Sequence, residues 1–220
     1  MFITFEGPEG GGKTTQIGLL GAFLREQGWQ VLPTREPGGT RIGDQIRDCL
    51  HDVRNTGMMP QTELLLYSAS RAQIVHEVIR PALNAGILVL CDRFFDSTLA
   101  YQGYGRGLDL PTLRQITHFA TGGLIPDLTI LFDIDVASGL ARRTQGGEEM
   151  NRLDLEALTF HQRVRHGFHT LAAAEPQRWV VLDAQRDPQV VQSDLRRIIA
   201  ARLPKNHPPQ TTTPCPPGPA

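Results

Sequence analysis

Gly7-Pro8-Glu9-Gly10-Gly11-Gly12-Lys13-Thr14 is the stretch whose residue types and spacing most directly imply chemistry. Glycines let the backbone curl until successive N–H groups converge on an anion, and the positive end of a following helix adds to their field. The G-x-x-x-x-G-K-[ST] spacing sets Lys13 within reach of β- and γ-phosphate oxygens and puts the Thr14 hydroxyl where it can ligate Mg²⁺. A glycine-rich turn that binds nothing is the alternative. The flanks argue against it: the apolar run Phe2-Ile3-Thr4-Phe5 reads as a strand, and Ile17, Leu19, Leu20, Phe23 and Leu24 read as a helix. Of the 22 basic residues only Lys13 and Lys205 are lysines, so a compact point charge is used where a triphosphate suits it. The candidate triphosphate-binding set is Gly7, Pro8, Glu9, Gly10, Gly11, Gly12, Lys13, Thr14 and Thr15.

A second set of groups lies farther along. Ile87-Leu88-Val89-Leu90-Cys91 is unbroken and apolar, as a strand buried on both faces should be, and it runs into Asp92-Arg93. An acid at that point can hold Mg²⁺ directly or through water, a role compatible with a helix-capping aspartate. Arg35, Arg47, Arg71 and Arg93 read as strand-end or helix-start positions. Each alone reads equally well as a surface arginine; together they exceed what one triphosphate needs and suggest a second anionic group, since guanidinium forks suit a terminal phosphate. Arg142-Arg143 precede the polar run Thr144 to Glu149, a flap that brings mobile positive charge. Closure of such a flap would exclude water and favour phosphoryl transfer over hydrolysis.

The elements that must position these groups alternate. Helices are expected over about Thr14–Gln27, Arg41–Val53, Pro60–Ala85, Phe94–Gln102, Leu113–Thr121, Val136–Arg143, Arg152–Ala174 and Pro188–Leu203, with Gly103 to Gly107 a loop. Five strands, near Phe2, Val31, Leu88, Leu128 and Trp179, fall between them. This is an α/β chain: a parallel sheet of about five strands with helices on both faces, spanning 1–203, with a short lid at about 142–152. From Pro204 to Ala220 proline and threonine dominate, and a disordered tail is expected.

The bulk numbers exclude several classes. A chain of 220 residues with 40% hydrophobic content is about one domain with enough apolar material for a core. A net charge of −1 gives no bias toward nucleic acid or membrane. No apolar run is long enough for a bilayer span, and the strand beginning at Phe2 leaves no room for a signal peptide. Cys49, Cys91 and Cys215 are widely spaced, which reads as reduced thiols in a cytosolic protein. His161, His166 and His169 have no recognised metal spacing and read as a solvated helix face.

Arg35-Glu36-Pro37-Gly38-Gly39-Thr40 with Gly43 and Ile46-Arg47, followed by Asp92-Arg93-Phe94-x-x-Ser97-Thr98-x-Ala100-Tyr101-Gln102, closely resembles the thymidylate kinase family of the bacterial type. The resemblance spans about Phe2 to Leu203 and implies a P-loop NTPase fold, transfer of the ATP γ-phosphoryl to dTMP with Mg²⁺, and a cytoplasmic homodimer. It implies Glu9 near the sugar 3′-hydroxyl and Arg47 and Arg93 on the acceptor phosphate. Tyr67 would stack on thymine, Arg71 would hydrogen-bond it, Ser97 and Gln102 would lie at the base, and Tyr101 would press on the sugar. Glu36, Asp92 and Thr14 would lie at the metal and phosphates, with Glu36 also at the acceptor site. The implied catalytic set is Glu9, Lys13, Arg93, Arg143 and Arg152, because bacterial-type members take from the flap the arginine their loop lacks, here at Gly10. Two departures stand out: Glu148 and Glu149 with no arginine between Arg143 and Arg152, and Asn151 where an aspartate is common. A kinase with another acceptor, or a nucleotide-dependent switch or assembly ATPase, remains open on the residues alone.

Overall fold

The computed structural model describes residues 1–145 and 150–204, so the middle of the expected flap and nearly all of the expected tail lie outside the described residues. Strands β1 (Phe2–Glu6), β2 (Val31–Arg35), β3 (Leu88–Asp92), β4 (Leu128–Asp133) and β5 (Trp179–Asp183) form one parallel sheet in the order β2-β3-β1-β4-β5. β2 contains Pro33, which lacks an N–H, and lies at an edge where that donor is not needed on both sides. β1 sits between β3 and β4, so chain crossings diverge on either side of it and open a crevice at its carboxyl end.

Alternation along β1 divides the core. Ile3 and Phe5 pack with Ile17, Leu20 and Leu24 of α1 (Lys13–Glu26) and Leu195 and Ile199 of α9 (Pro188–Ala200). Phe2 faces the other way, toward Ile74, Val75, Ile79 and Phe94. Thr4 shares that second face and its hydroxyl meets that of Thr129 at 2.8 Å. Glu6, two residues further along the same face, is fully buried.

Between β2 and β3 run α2 (Arg41–His51), α3 (Pro60–Ile74), a π-helical segment Val75–Ile79, and α4 (Arg80–Asn84). The sequence reading of one helix over Pro60–Ala85 is thus corrected by a widened turn. Pro81 has no N–H and its ring would run into the carbonyl of Glu77 in a regular α-helix, and the wider π turn relieves that conflict. After β3 come α5 (Phe95–Thr98) and a π-helical segment Leu99–Gly105, where a helix to Gln102 and then a loop were expected. The Arg106 N–H donates five residues back to the Tyr101 carbonyl at 2.9 Å.

α6 (Leu110–Thr121) precedes β4, and α7 (Val136–Gln145) and α8 (Leu158–Ala174) precede β5. The helix expected from Arg152 starts six residues later. The Asn151 side chain accepts from the N–H groups of Leu153 and Asp154, at 2.8 and 3.2 Å, and so holds a turn that competes with helix. Of the histidine trio, His166 is exposed as expected of a solvated face and His161 is not. His161 continues the buried stripe Val164, Phe168, Leu171 of α8 and is itself buried, while His169 lies 3.0 Å from Asp133.

Just before β5, Arg178 donates from both Nη atoms to buried Asp96 of α5, at 2.7 and 2.9 Å, and to Thr129 Oγ1 at 2.8 Å. Removing one partner of a buried pair leaves the other uncompensated. Arg178→Ala should therefore cost about 3–5 kcal/mol of unfolding free energy in urea titrations; a loss below about 1 kcal/mol, the range of exposed pairs, would contradict this.

Candidate functional site

At the carboxyl end of β1 the loop turns through positive-φ glycines at Gly7, Gly10 and Gly12. Gly10 has a second reason to be glycine. A Cβ there would collide with the carbonyl of Gly139 in α7, and a Cβ on Gly139 would collide with the carbonyl of Glu9. Two glycines thus let α7, which carries Arg142 and Arg143, rest directly on the loop.

The loop forms one wall of a cleft of about 980 Å³. Glu9, Gly10, Gly11, Gly12, Lys13, Thr14 and Thr15 line it on the loop side, and Glu36, Arg47, Tyr67, Asp92, Arg93, Ser97, Tyr101, Gln102 and Arg143 line the rest. Gly7 and Pro8 do not reach the cleft; their carbonyls accept from Lys13 Nζ at 3.1 and 2.8 Å. Thr14 Oγ1 donates to Asp92 Oδ2 at 2.6 Å, so the hydroxyl and carboxylate expected at a metal are adjacent.

Arg93 joins the two walls. Its φ of 70° is left-handed, a conformation that costs a non-glycine residue roughly 1–3 kcal/mol and concentrates at functional sites. The Arg93 N–H is tied to the Phe5 carbonyl at 3.0 Å, Nη2 lies 2.5 Å from Glu9 Oε2, and Nη1 donates to Ser97 Oγ at 3.2 Å. Its guanidinium lies 5.1 Å from the centre of the Tyr101 ring, and Tyr101 Oη donates to Glu9 Oε1 at 2.8 Å. Burial alone would raise the Glu9 carboxyl, but Arg93 and then Lys13 hold it down at about 2. Burial, with Arg93, lowers Lys13 to about 8.

Arg71 and Arg152 stand outside the cleft lining. Arg71, 2% exposed, donates from Nε to Glu36 at 2.7 Å, from Nη1 to Thr98 at 2.9 Å and from Nη2 to the Phe94 carbonyl at 3.3 Å. Burial pushes the Glu36 carboxyl up to about 7 against the pull of Arg71, and Glu36 Oε1 is buried with no hydrogen-bond partner. Arg152 is turned inward, 2.5 Å from Glu63 and 3.2 Å from the Leu50 carbonyl. Arg143 reaches Asp154 at 3.1 Å, and Arg142 donates to the Ala184 and Gln185 carbonyls at 2.9 and 3.3 Å.

Glu6 and Glu63 were not singled out by sequence reasoning. Glu6 accepts from the Phe94 N–H at 2.8 Å and from Ser97 Oγ at 2.5 Å; burial, then the Asp96 carboxylate, raises its pKa. Fully buried Glu63 takes Gln102, Arg106 and Arg152 at 2.7, 3.0 and 2.5 Å. The available signals were an acid ending an otherwise apolar strand, and the spacing Glu63, Tyr67, Arg71, which repeats every four residues on one helix face.

A bound triphosphate favours charged Lys13, so binding above its free pKa must take up a proton. Titration of a nucleoside triphosphate at pH 8.5 in buffers of different ionisation enthalpy should show that uptake, with affinity falling as pH rises through about 8. No uptake would contradict the contact.

The family model described as Thymidylate kinase matches residues 5–195. A thymidylate kinase of Thermomicrobium roseum is 56% identical over 86% of this chain and 90% of its own length. One of Deinococcus radiodurans is 54% identical over 92% of this chain and 97% of its own. The solved thymidylate kinase of Ehrlichia chaffeensis superposes with a TM-score of 0.75 at 33% identity, covering 90% of this chain and 98% of that one. With the loop, the arginine-lined cleft and the sheet order in agreement, this chain belongs to the thymidylate kinase family.

Proposed function

We propose that the γ-phosphoryl of ATP passes to dTMP between the Lys13 side and the Arg47–Arg93 side of this cleft, with Glu9 at the acceptor sugar. The reaction class follows from family membership: the chain is a P-loop nucleoside monophosphate kinase that phosphorylates dTMP, with ATP as donor. The observation that carries the residue assignment is the Arg93–Glu9 pair, which sets an acceptor-type arginine 2.5 Å from a carboxylate inside the donor loop.

In this reading Lys13 and the loop N–H groups hold the β- and γ-phosphates, and Arg47 and Arg93 hold the acceptor phosphate in line with them. Phosphoryl transfer asks the protein mainly for positioning and for charge stabilisation, and both arise here from groups already fixed by the protein. Tyr67 offers a ring for the base, worth roughly 1–3 kcal/mol but tolerant of base identity. Selectivity then falls to Gln102, oriented by Glu63, to Ser97, and to Thr98, which stands on the cleft wall with Arg71 behind it. Tyr101, fixed against Glu9, leaves little room for a ribose 2′-hydroxyl. Arg143, on the cleft wall beside Asp154, is the lid arginine, whereas Arg152 is turned away to Glu63.

The donor set fits Mg²⁺: Thr14 Oγ1 and Asp92 Oδ2 are adjacent, and Glu36 Oε1 has no protein partner. Mg²⁺ keeps several waters and usually needs only one or two carboxylates beside the substrate phosphates. Bound there, it would neutralise charge on the β- and γ-phosphoryl oxygens.

A homodimer is supported by apolar side chains exposed on two neighbouring elements, Leu65 of α3 at 58% and Phe119 of α6 at 88%. A monomeric mass by light scattering would refute it. Cytoplasmic location is supported by the unpaired thiols of Cys49 and Cys91, and recovery of the protein from membranes or medium on fractionation would refute it. Among the described residues no helix is long and apolar enough to cross a membrane.

A coupled ADP-release assay with dTMP, dUMP, dCMP, dGMP and AMP, with and without Mg²⁺, tests the assignment. Expected are a preference for dTMP and no turnover without the metal; turnover without any acceptor would favour an ATPase. Lys13→Ala should lower transfer by about two to three orders of magnitude with the fold retained, and near-normal turnover would remove Lys13 from its role.

A further inference from the structure

His51 is the last residue of α2, one turn beyond Arg47 and therefore on the same helix face. Both side chains line the cleft. The backbone of His51 is fixed, because Arg152 donates from its N–H to the His51 carbonyl at 3.3 Å and from Nε to the Leu50 carbonyl at 3.2 Å. The imidazole itself is half-buried and has no hydrogen-bond partner among the described residues.

Its surroundings define what it lacks. The charged groups that act on it are the guanidiniums of Arg47, Arg143 and Arg93 and the carboxylate of Glu9. Burial, then Arg47, lowers its pKa to about 4, so at neutral pH it presents one N–H donor and one acceptor nitrogen. Glu9 is already engaged by Arg93 and Tyr101. A neutral donor set among three cations, with no protein acceptor left for it, fits an anion that enters between those cations.

We propose that His51 is a further acceptor-site residue, whose imidazole N–H donates to the phosphate of dTMP beside Arg47. The proposal rests on the reading of Arg47 and Arg93 as the acceptor-phosphate arginines. The incoming dianion offsets the guanidinium charge around the ring and strengthens the imidazole as a donor. Arg152, through its bonds to the Leu50 and His51 carbonyls, fixes the backbone from which His51 reaches the phosphate.

The test is equilibrium titration of the full chain with dTMP and with thymidine, which lacks the phosphate. His51→Leu should weaken dTMP binding about tenfold, the lower end for a hydrogen bond to a charged group. Thymidine binding should stay unchanged, which also reports that the site is folded. His51→Gln, which keeps an N–H donor, should recover part of the loss. Equal weakening of both ligands, or of neither, overturns the proposal. Arg47→Ala separates it from its foundation. If that variant lowers dTMP affinity relative to thymidine and His51→Leu does not, only the His51 contact falls. If neither does, the acceptor-site reading falls with it.

Discussion

A single ion pair, Arg93 Nη2 to Glu9 Oε2 at 2.5 Å, makes one site out of two strand ends. Glu9 belongs to the loop after β1 and Arg93 to the turn after β3, and they can meet only because the two strands are parallel neighbours in register. The same neighbourhood lets the Phe5 carbonyl take the Arg93 N–H and hold it at a left-handed φ of 70°. Glu6 completes the junction by accepting from the Phe94 N–H and Ser97 Oγ. The loop and the wall facing it are thus locked together by the protein's own contacts, and if they hold donor and acceptor as proposed, that is what electrostatic preorganisation requires.

Behind that junction, charge is arranged in buried sets, each spanning distant parts of the chain. Arg71 with Glu36 backs the wall that carries Thr98; Glu63 with Arg152 and Arg106 backs Gln102; Arg178 with Asp96 backs α5. Buried pairs contribute little net stability against apolar replacements, but they fix geometry when every partner is present. Two of them hold Thr98 and Gln102, polar groups that line the cleft, in place. The Gly10–Gly139 contact does the equivalent for α7, which can lie on the loop only where neither residue has a Cβ.

The legible parts of the sequence were the local ones. Loop, flanking strand and helix lie within a short stretch around Gly7 to Thr14, and β3 announces itself by an apolar run ending at Asp92. From such runs the parallel sheet and most of the cleft residues follow. Arg71 and Arg152 show the limit: a sequence reveals an arginine at a suggestive place but not whether it faces the cleft or a buried acid. Arg152 meets Glu63 across 89 residues, and nothing local marks that partner. His51 was illegible for the complementary reason, since one histidine ending a polar helix has no pattern until the fold brings Arg93 and Arg143 around it. The widened turn at Val75–Ile79 had a signal in Pro81, whose conflict with the Glu77 carbonyl a π turn relieves, whereas Leu99–Gly105 carries no proline to mark its own.

On the proposed reading one continuous cleft holds donor and acceptor at once, joined across Arg93 and Glu9. The most direct measurement is calorimetric titration with a bisubstrate ligand, adenosine and thymidine linked through their 5′ carbons by a five-phosphate chain. One ligand should bind per chain, more tightly than either ATP or dTMP, and each should displace it. Binding no tighter than ATP alone, with dTMP still able to enter, would contradict that reading.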